Sequence, residues 1–261
     1  MIKAVFFDID GTIVPFGENK MLKSTVEALD TLKSKGVKVF IATGRSPGNL
    51  KYLQSVLDYN FDGFVAMNGQ YCYSGDIVIR EQWFSKQNFP MLLKYLDEKN
   101  IACNFVELDY FYINRINSKV KMIRAALSKS LNFEPVDDQR RSLTHKIYQL
   151  SAYIDKEDEE ELVRHFPGSK ALRWSPAFAD IIPEDGGKDV GISKVIEYFG
   201  IKREETMAFG DGGNDIDMLK FCGIGVAMGN AGDDVKEAAD YVTDDACSDG
   251  IYNALKHFGV I

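Results

Sequence analysis

The chain has 261 residues, 45% hydrophobic and 27% charged, the balance of an ordinary globular protein with enough length for two cores. Lys and Arg number 31 against 39 Asp and Glu, a formal charge of −8, which argues against a nucleic-acid binder because phosphate backbones demand a basic face. No apolar stretch is long enough for a bilayer, and the four scattered cysteines (Cys72, Cys103, Cys222, Cys247) form no C-x-x-C pair, so a cytoplasmic protein with no membrane partner and free thiols is expected.

In chain order, "KAVFFD" (3–8) reads as a buried strand, "LKSTVEALDTLKSKG" (22–36) as a helix stopped at Gly36, and "VKVFIAT" (37–43) as a second buried strand. "SPGNLKYLQSVLD" (46–58) predicts a helix with Ser46 as N-cap and Pro47 at its first position. "GFVAMNG" (63–69) is a third strand. Continuous apolar strands alternating with amphipathic helices mean a parallel sheet covered on both faces, an α/β fold.

After Gly69 the texture changes. "YCYSGDIVIREQWF" (71–84) predicts a hairpin turning at Ser74-Gly75-Asp76. A helix (89–100), two strands (102–108 and 110–115), a helix "SKVKMIRAALSKS" (118–130), a strand (146–154), a helix (155–166) and two short strands (171–174 and 178–183) follow. This mixture predicts a separate α+β unit inserted over residues 82–180. The acidic run inside "DKEDEEELVRHF" falls in the first turn of its helix, where negative charge is favourable, so it reads as a solvated cap and not a metal site. From "GGKDVGISKVIEYFG" (186–200) the first texture returns, with strands "TMAFGD", "GIGVAM" and "YVT" between helices. Residues 1–81 and 181–261 are therefore expected to build one sheet from both ends of the chain.

Three apolar strands end in polar, turn-rich signatures: "FFDIDGT", "FIATGR" and "MAFGDGGND". In an open parallel sheet, ligands bind beyond the carboxyl ends of the strands. Asp8, Asp10, Thr43, Arg45, Asp211, Asn214 and Asp215 are thus expected at one edge, and Lys188 at a helix start can reach it. Asp8, the backbone carbonyl of Asp10, and Asp211 are hard oxygen donors suited to Mg²⁺. The cation and Lys188 would offset the repulsion of paired carboxylates and attract a phosphate. Thr43 adds a hydroxyl, and the amides beside Gly11 and Gly44 approach an anion closely.

In this order the motifs resemble those of the haloacid dehalogenase (HAD) superfamily, and specifically its Cof-type sugar-phosphate phosphatases. "DIDGT" resembles motif I, "TGR" motif II, Lys188 motif III and "GDGGND" motif IV, and the insertion lies where this subfamily carries a large α/β cap. The flanks of Lys188 depart from the usual spelling. The resemblance implies a Rossmann-like core and a Mg²⁺-dependent phosphatase acting on small phosphorylated metabolites, most of all hexose phosphates. It implies Asp8 as nucleophile forming an aspartyl-phosphate and Asp10 as acid and base. It further implies Thr43 and Lys188 on the phosphoryl oxygens, Gly44, Arg45 and Asn214 towards substrate, Asp8, Asp10 and Asp211 on the metal, and Asp215 supporting Lys188 and the metal.

Bland readings compete at each point. D-x-D-G alone is a turn with solvated aspartates. An EF-hand fails, since the twelfth residue from Asp8 is Asn19 and Gly11 stands at the fourth position. His145, His165 and His257 read as structural or surface residues, and Tyr110, Phe111 and Tyr112 as core of the insertion. Trp174 reads equally as a hinge-packing ring or a substrate contact. Arg45 reads as a substrate ligand or as the partner of an acidic neighbour. A phosphomutase or phosphotransferase is the nearest rival activity, and a catalytically silent phosphosugar-binding regulator the rival of another class.

Overall fold

The computed structural model describes residues 1–53, 55–126 and 134–261. The described chain falls into two compact units. One comprises Met1–Arg45, Asn49–Glu81 and Gly186–Ile261, the other Ser46–Gly48 and Gln82–Asp185.

The first unit is built on an eight-stranded sheet. Its strands are β1 (Ala4–Phe7), β2 (Lys38–Ala42), β3 (Gly63–Ala66), β4 (Tyr71–Ser74) and β5 (Ile77–Glu81), then β11 (Thr206–Gly210), β12 (Ile224–Ala227) and β13 (Tyr241–Val242). Their spatial order is β13-β12-β11-β1-β2-β3-β4-β5, so β1 sits centrally between strands from both ends of the chain. Six strands run parallel, and the β4–β5 hairpin closes one edge antiparallel.

The alternation of side chains along β1 explains why its run is apolar throughout. Val5 and Phe7 pack on one face with Leu29 and Leu32 of α1 (Lys23–Ser34) and Ile251 and Leu255 of α9 (Gly250–His257). Ala4 and Phe6 face the other side, in one cluster with Ile192 and Val195 of α6 (Lys188–Phe199), Leu219 of α7 (Ile216–Phe221) and Val235 of α8 (Asp233–Ala238). Register makes aromatic stacks on both faces: Phe6 meets Phe40 at 4.9 Å between ring centroids, and Phe7 meets Phe209 at 5.2 Å.

One predicted helix is shorter than its periodicity suggests. α2 spans only Pro47–Tyr52 instead of 46–58. Beyond it Leu53 and Leu57 still reach the core, but through turns in which the amides of both Val56 and Leu57 donate to the Leu53 carbonyl. The apolar spacing is satisfied without a continuous helix.

The second unit carries a fully antiparallel five-stranded sheet in the order β7-β6-β8-β10-β9. Its strands are β6 (Cys103–Val106), β7 (Phe111–Ile113), β8 (Gln149–Ala152), β9 (Ser169–Ser175) and β10 (Phe178–Pro183). Its helices are α3 (Phe89–Glu98), α4 (Ser118–Ala126) and α5 (Glu159–Arg164). The end of the helix expected over 118–130 lies outside the described residues. This unit extends to Asp185, beyond residue 180, because Ile181–Pro183 still pair with β9. Tyr112 is buried and stacks on Phe105 at 5.2 Å, as core. His165 stacks on Tyr95 here, and His257 on Tyr241 in the first unit. Among the described residues no helix is long and apolar enough to cross a membrane.

Candidate active site

The loops after β1, β2, β3 and β11 all leave the carboxyl edge of the parallel strands, and the first residue of α6 joins them. Asp8 follows β1 directly and is buried. Lys188, wholly buried, donates to Asp8 Oδ1 at 2.6 Å and to Asp215 Oδ1 at 2.6 Å. The other oxygen of Asp215 accepts the amides of Asp211 at 3.0 Å and Gly212 at 2.9 Å, so this carboxylate closes its own loop while orienting the lysine. Asp211 Oδ1 accepts the buried Thr12 hydroxyl at 2.8 Å. Carboxylate oxygens of Asp8, Asp211 and Asp215 all lie within 4.8 Å of one another.

Three carboxylates around one ammonium leave excess negative charge. Burial pushes Asp8 well above the usual carboxylate range; Lys188 pulls it down, while Asp215 and Asp211 push it further up. Burial likewise pushes Asp211 up to about 7, against the opposing hydrogen bond from Thr12. Burial works against the Lys188 charge, but Asp215 and Asp8 outweigh it and hold the ammonium protonated.

Asp10 points elsewhere. Arg45 grips its carboxylate with both arms of the fork, Nε to Oδ2 and Nη2 to Oδ1, each at 2.8 Å. Of the two roles weighed for Arg45, the geometry displays the acidic partner. The buried Thr43 hydroxyl accepts the Arg45 amide at 3.2 Å, with Gly44 between them in the same loop. Asn214 donates to Asn68 Oδ1 at 3.0 Å. Trp174 belongs to the second unit, where its indole donates to the buried Asp180 at 3.0 Å.

Gly11, directly after Asp10, must be small. Its φ of +85° is left-handed, and a Cβ there would collide with Asp211 Oδ2 and the Phe16 ring.

Sequence reasoning missed Thr12, Asn68 and Asn230. Asn230 donates to the Gly11 carbonyl at 2.9 Å and accepts the Ala246 amide at 2.9 Å, tying the first loop to a distant one. After β3, Met67, Asn68 and Gly69 take φ values of 50°, 51° and 87° in succession. A left-handed methionine costs about 1–2 kcal/mol, and such strain gathers at functional sites. The signal was the Asn-Gly dipeptide at the end of "GFVAMNG", a fourth strand end, which carries no charge.

The model of the haloacid dehalogenase-like hydrolases matches residues 5–255. The chain belongs to that family. This HAD hydrolase is 34% identical over 259 residues to YkrA of Bacillus subtilis, a protein that bears the name of a phosphatase, across 99% of this chain and 98% of the other. It is 27% identical to the B. subtilis 5-amino-6-(5-phospho-D-ribitylamino)uracil phosphatase YcsE, over 98% of this chain and 96% of that one. Among solved structures it is similar to the HAD subclass IIB sugar phosphatase BT4131, with TM-score 0.89 and 42% identity over 99% of this chain and 100% of the other. BT1666 of Bacteroides thetaiotaomicron, a HAD phosphatase, superposes with TM-score 0.92 at 38% identity over 100% of this chain and 96% of its own. The HAD hydrolase is accordingly a phosphatase of phosphate esters, and its substrate is a small phosphorylated molecule. Enzymes of this family generally use a metal ion, and its acidic trio has the donor chemistry to bind one.

Proposed function

We propose that the chain hydrolyses phosphomonoesters of small sugars, with Mg²⁺ and through a phosphoryl group carried on Asp8. The observation that carries this reading is the buried Asp8 carboxylate, held by Lys188 at the carboxyl end of the central strand. The Asp8 oxygen forms a bond to phosphorus as the bond to the leaving oxygen breaks, and Asp10 gives that oxygen a proton. Asp10 then takes a proton from water as the water oxygen attacks phosphorus, the bond to Asp8 breaks, and inorganic phosphate leaves. Lys188 and Thr43 hold phosphoryl oxygens, assisted by the Gly44 amide, with Asn214 beside them. For Asp10 to carry a proton, its carboxylate must release part of the Arg45 fork.

Asp8, Asp211 and the Asp10 carbonyl would hold the cation. Mg²⁺ suits this set because its ligands are hard oxygens and because Asp8 and Asp211 carry charge that Lys188 alone does not balance. When bound, it supplies positive charge to the carboxylates and the phosphoryl group. Asp215, whose oxygens already accept Lys188 and two amides, serves better as support than as a ligand. The sugar preference draws on likeness to a sugar phosphatase along the whole chain. The second compact unit is the part we assign as the substrate-selecting cap.

The test is phosphate release across hexose phosphates, nucleotides and phosphorylated cofactors, with Mg²⁺ or with EDTA. Sugar phosphates should turn over fastest and EDTA should stop the reaction. Asp8→Asn, whose amide cannot carry the phosphoryl group, should lose about a thousandfold or more. A folded Asp8→Asn protein with the parent rate would remove Asp8 as nucleophile. An isomerised sugar phosphate in place of inorganic phosphate would make the chain a mutase.

A further inference from the structure

We propose that Asn68 is a positioning residue: from one left-handed turn it registers the loops that carry Thr43, Asn214 and Lys188 against one another. The inference rests on the phosphatase reading but concerns a residue outside its machinery.

The contacts run in three directions. Towards the second strand, the Asn68 amide donates to the Thr43 carbonyl at 2.9 Å and the Met67 amide to the Arg45 carbonyl at 3.0 Å. Towards the loop after β11, the Asn68 carboxamide oxygen accepts Asn214 Nδ2 at 3.0 Å. Towards the start of α6, Gly69 lies so close to Gly187 that a Cβ would strike the Gly187 carbonyl, one residue before Lys188. The turn is held from behind, where Arg80 of β5 donates to the Gly69 carbonyl at 3.0 Å.

The chemistry explains the residue type. The position needs a backbone that accepts φ near +50° together with a side-chain acceptor that reaches Asn214. Asparagine is the side chain that most readily tolerates left-handed backbone and still offers a carbonyl. It is fully buried, so its amide dipole works without competition from water. Phosphoryl transfer depends on holding donors within fractions of an ångström, and a loop that sets three of them at once controls the rate without touching substrate.

The experiment compares Asn68→Gly, Asn214→Ala and the double variant with the parent enzyme on p-nitrophenyl phosphate in Mg²⁺. Glycine keeps the left-handed turn and removes only the carboxamide. Asn68→Gly should remain folded, as read by thermal unfolding, and lose about ten- to a hundredfold in kcat with KM little changed. The double variant should be no slower than Asn214→Ala alone, because both changes break one contact. Parent-like kcat in folded Asn68→Gly, or two losses that multiply in the double variant, would overturn the proposal. Should Asn68→Gly not fold, Arg80→Gln loosens the same turn from behind; a kcat loss of about threefold or more supports the inference and an unchanged kcat sinks it. Failure of the phosphatase reading itself is distinct, since the parent enzyme would then release no phosphate.

Discussion

Both compact units bury aspartates, and they hold them in different ways. In the second, Asp180 accepts the Ser151 hydroxyl at 2.7 Å and the Trp174 indole at 3.0 Å, neutral donors that fix the carboxylate inside an antiparallel sheet. In the first, Asp8 and Asp215 share a single buried ammonium, and Asp211 stands beside them with its charge only partly offset. The site of the first unit is short of positive charge, a deficit that a cation can meet.

The sharpest way to break this contrast is Lys188→Met. It leaves two buried carboxylates without their ammonium, and we expect a loss of about 3–5 kcal/mol in urea unfolding together with loss of turnover. A stability close to the parent would show that the carboxylates do not depend on the lysine. Thr12→Val removes the hydroxyl that fixes Asp211 Oδ1. The Mg²⁺ concentration for half-maximal activity should rise about ten- to a hundredfold, and no change would separate Asp211 from the metal.

A pH experiment reads the same deficit. Asp211, pushed up to about 7, binds a proton more tightly in the folded chain than in the unfolded one. Its contribution to stability is therefore full below about pH 4 and is lost as pH rises through about 7, with Asp8 adding the same sign. Thermal unfolding in EDTA should fall between about pH 5 and about pH 8, and saturating Mg²⁺ should flatten or reverse the slope; identical slopes with and without Mg²⁺ would contradict it. The smallest effect belongs to the second unit. Ser151→Ala should cost about 1–2 kcal/mol by weakening the hold on Asp180, and should leave kcat on p-nitrophenyl phosphate within about twofold. A large kcat loss with little destabilisation would erase the distinction between the two aspartate settings.

Much of the site was legible because strand ends announce themselves. An apolar run that stops at Asp8, Thr43 or Asp211 places that residue at the carboxyl edge by its pattern alone. Asn68 ends a strand in the same way but carries no charge, and an Asn-Gly turn has an ordinary explanation at every occurrence. The left-handed turn at Met67 depends on the loops it braces, so local propensity argues against it. The short α2 has a similar cause: the spacing of Leu50, Leu53 and Leu57 fits a helix, yet only Leu50 lies in one and the core accepts Leu53 and Leu57 from turns.

Local chemistry in the chain determined which segments become buried strands, which of them end in acidic or hydroxyl groups, and that a second unit interrupts the first. Those properties follow from periodicity and from the cost of burying polar groups, and they act over a few residues. Only the tertiary structure decided who holds whom. Lys188 and Asp8 are 180 positions apart, and Asn214 and Asn68 are 146. Hydrogen bonds form or fail within a few tenths of an ångström, a precision that spacing along the chain does not carry.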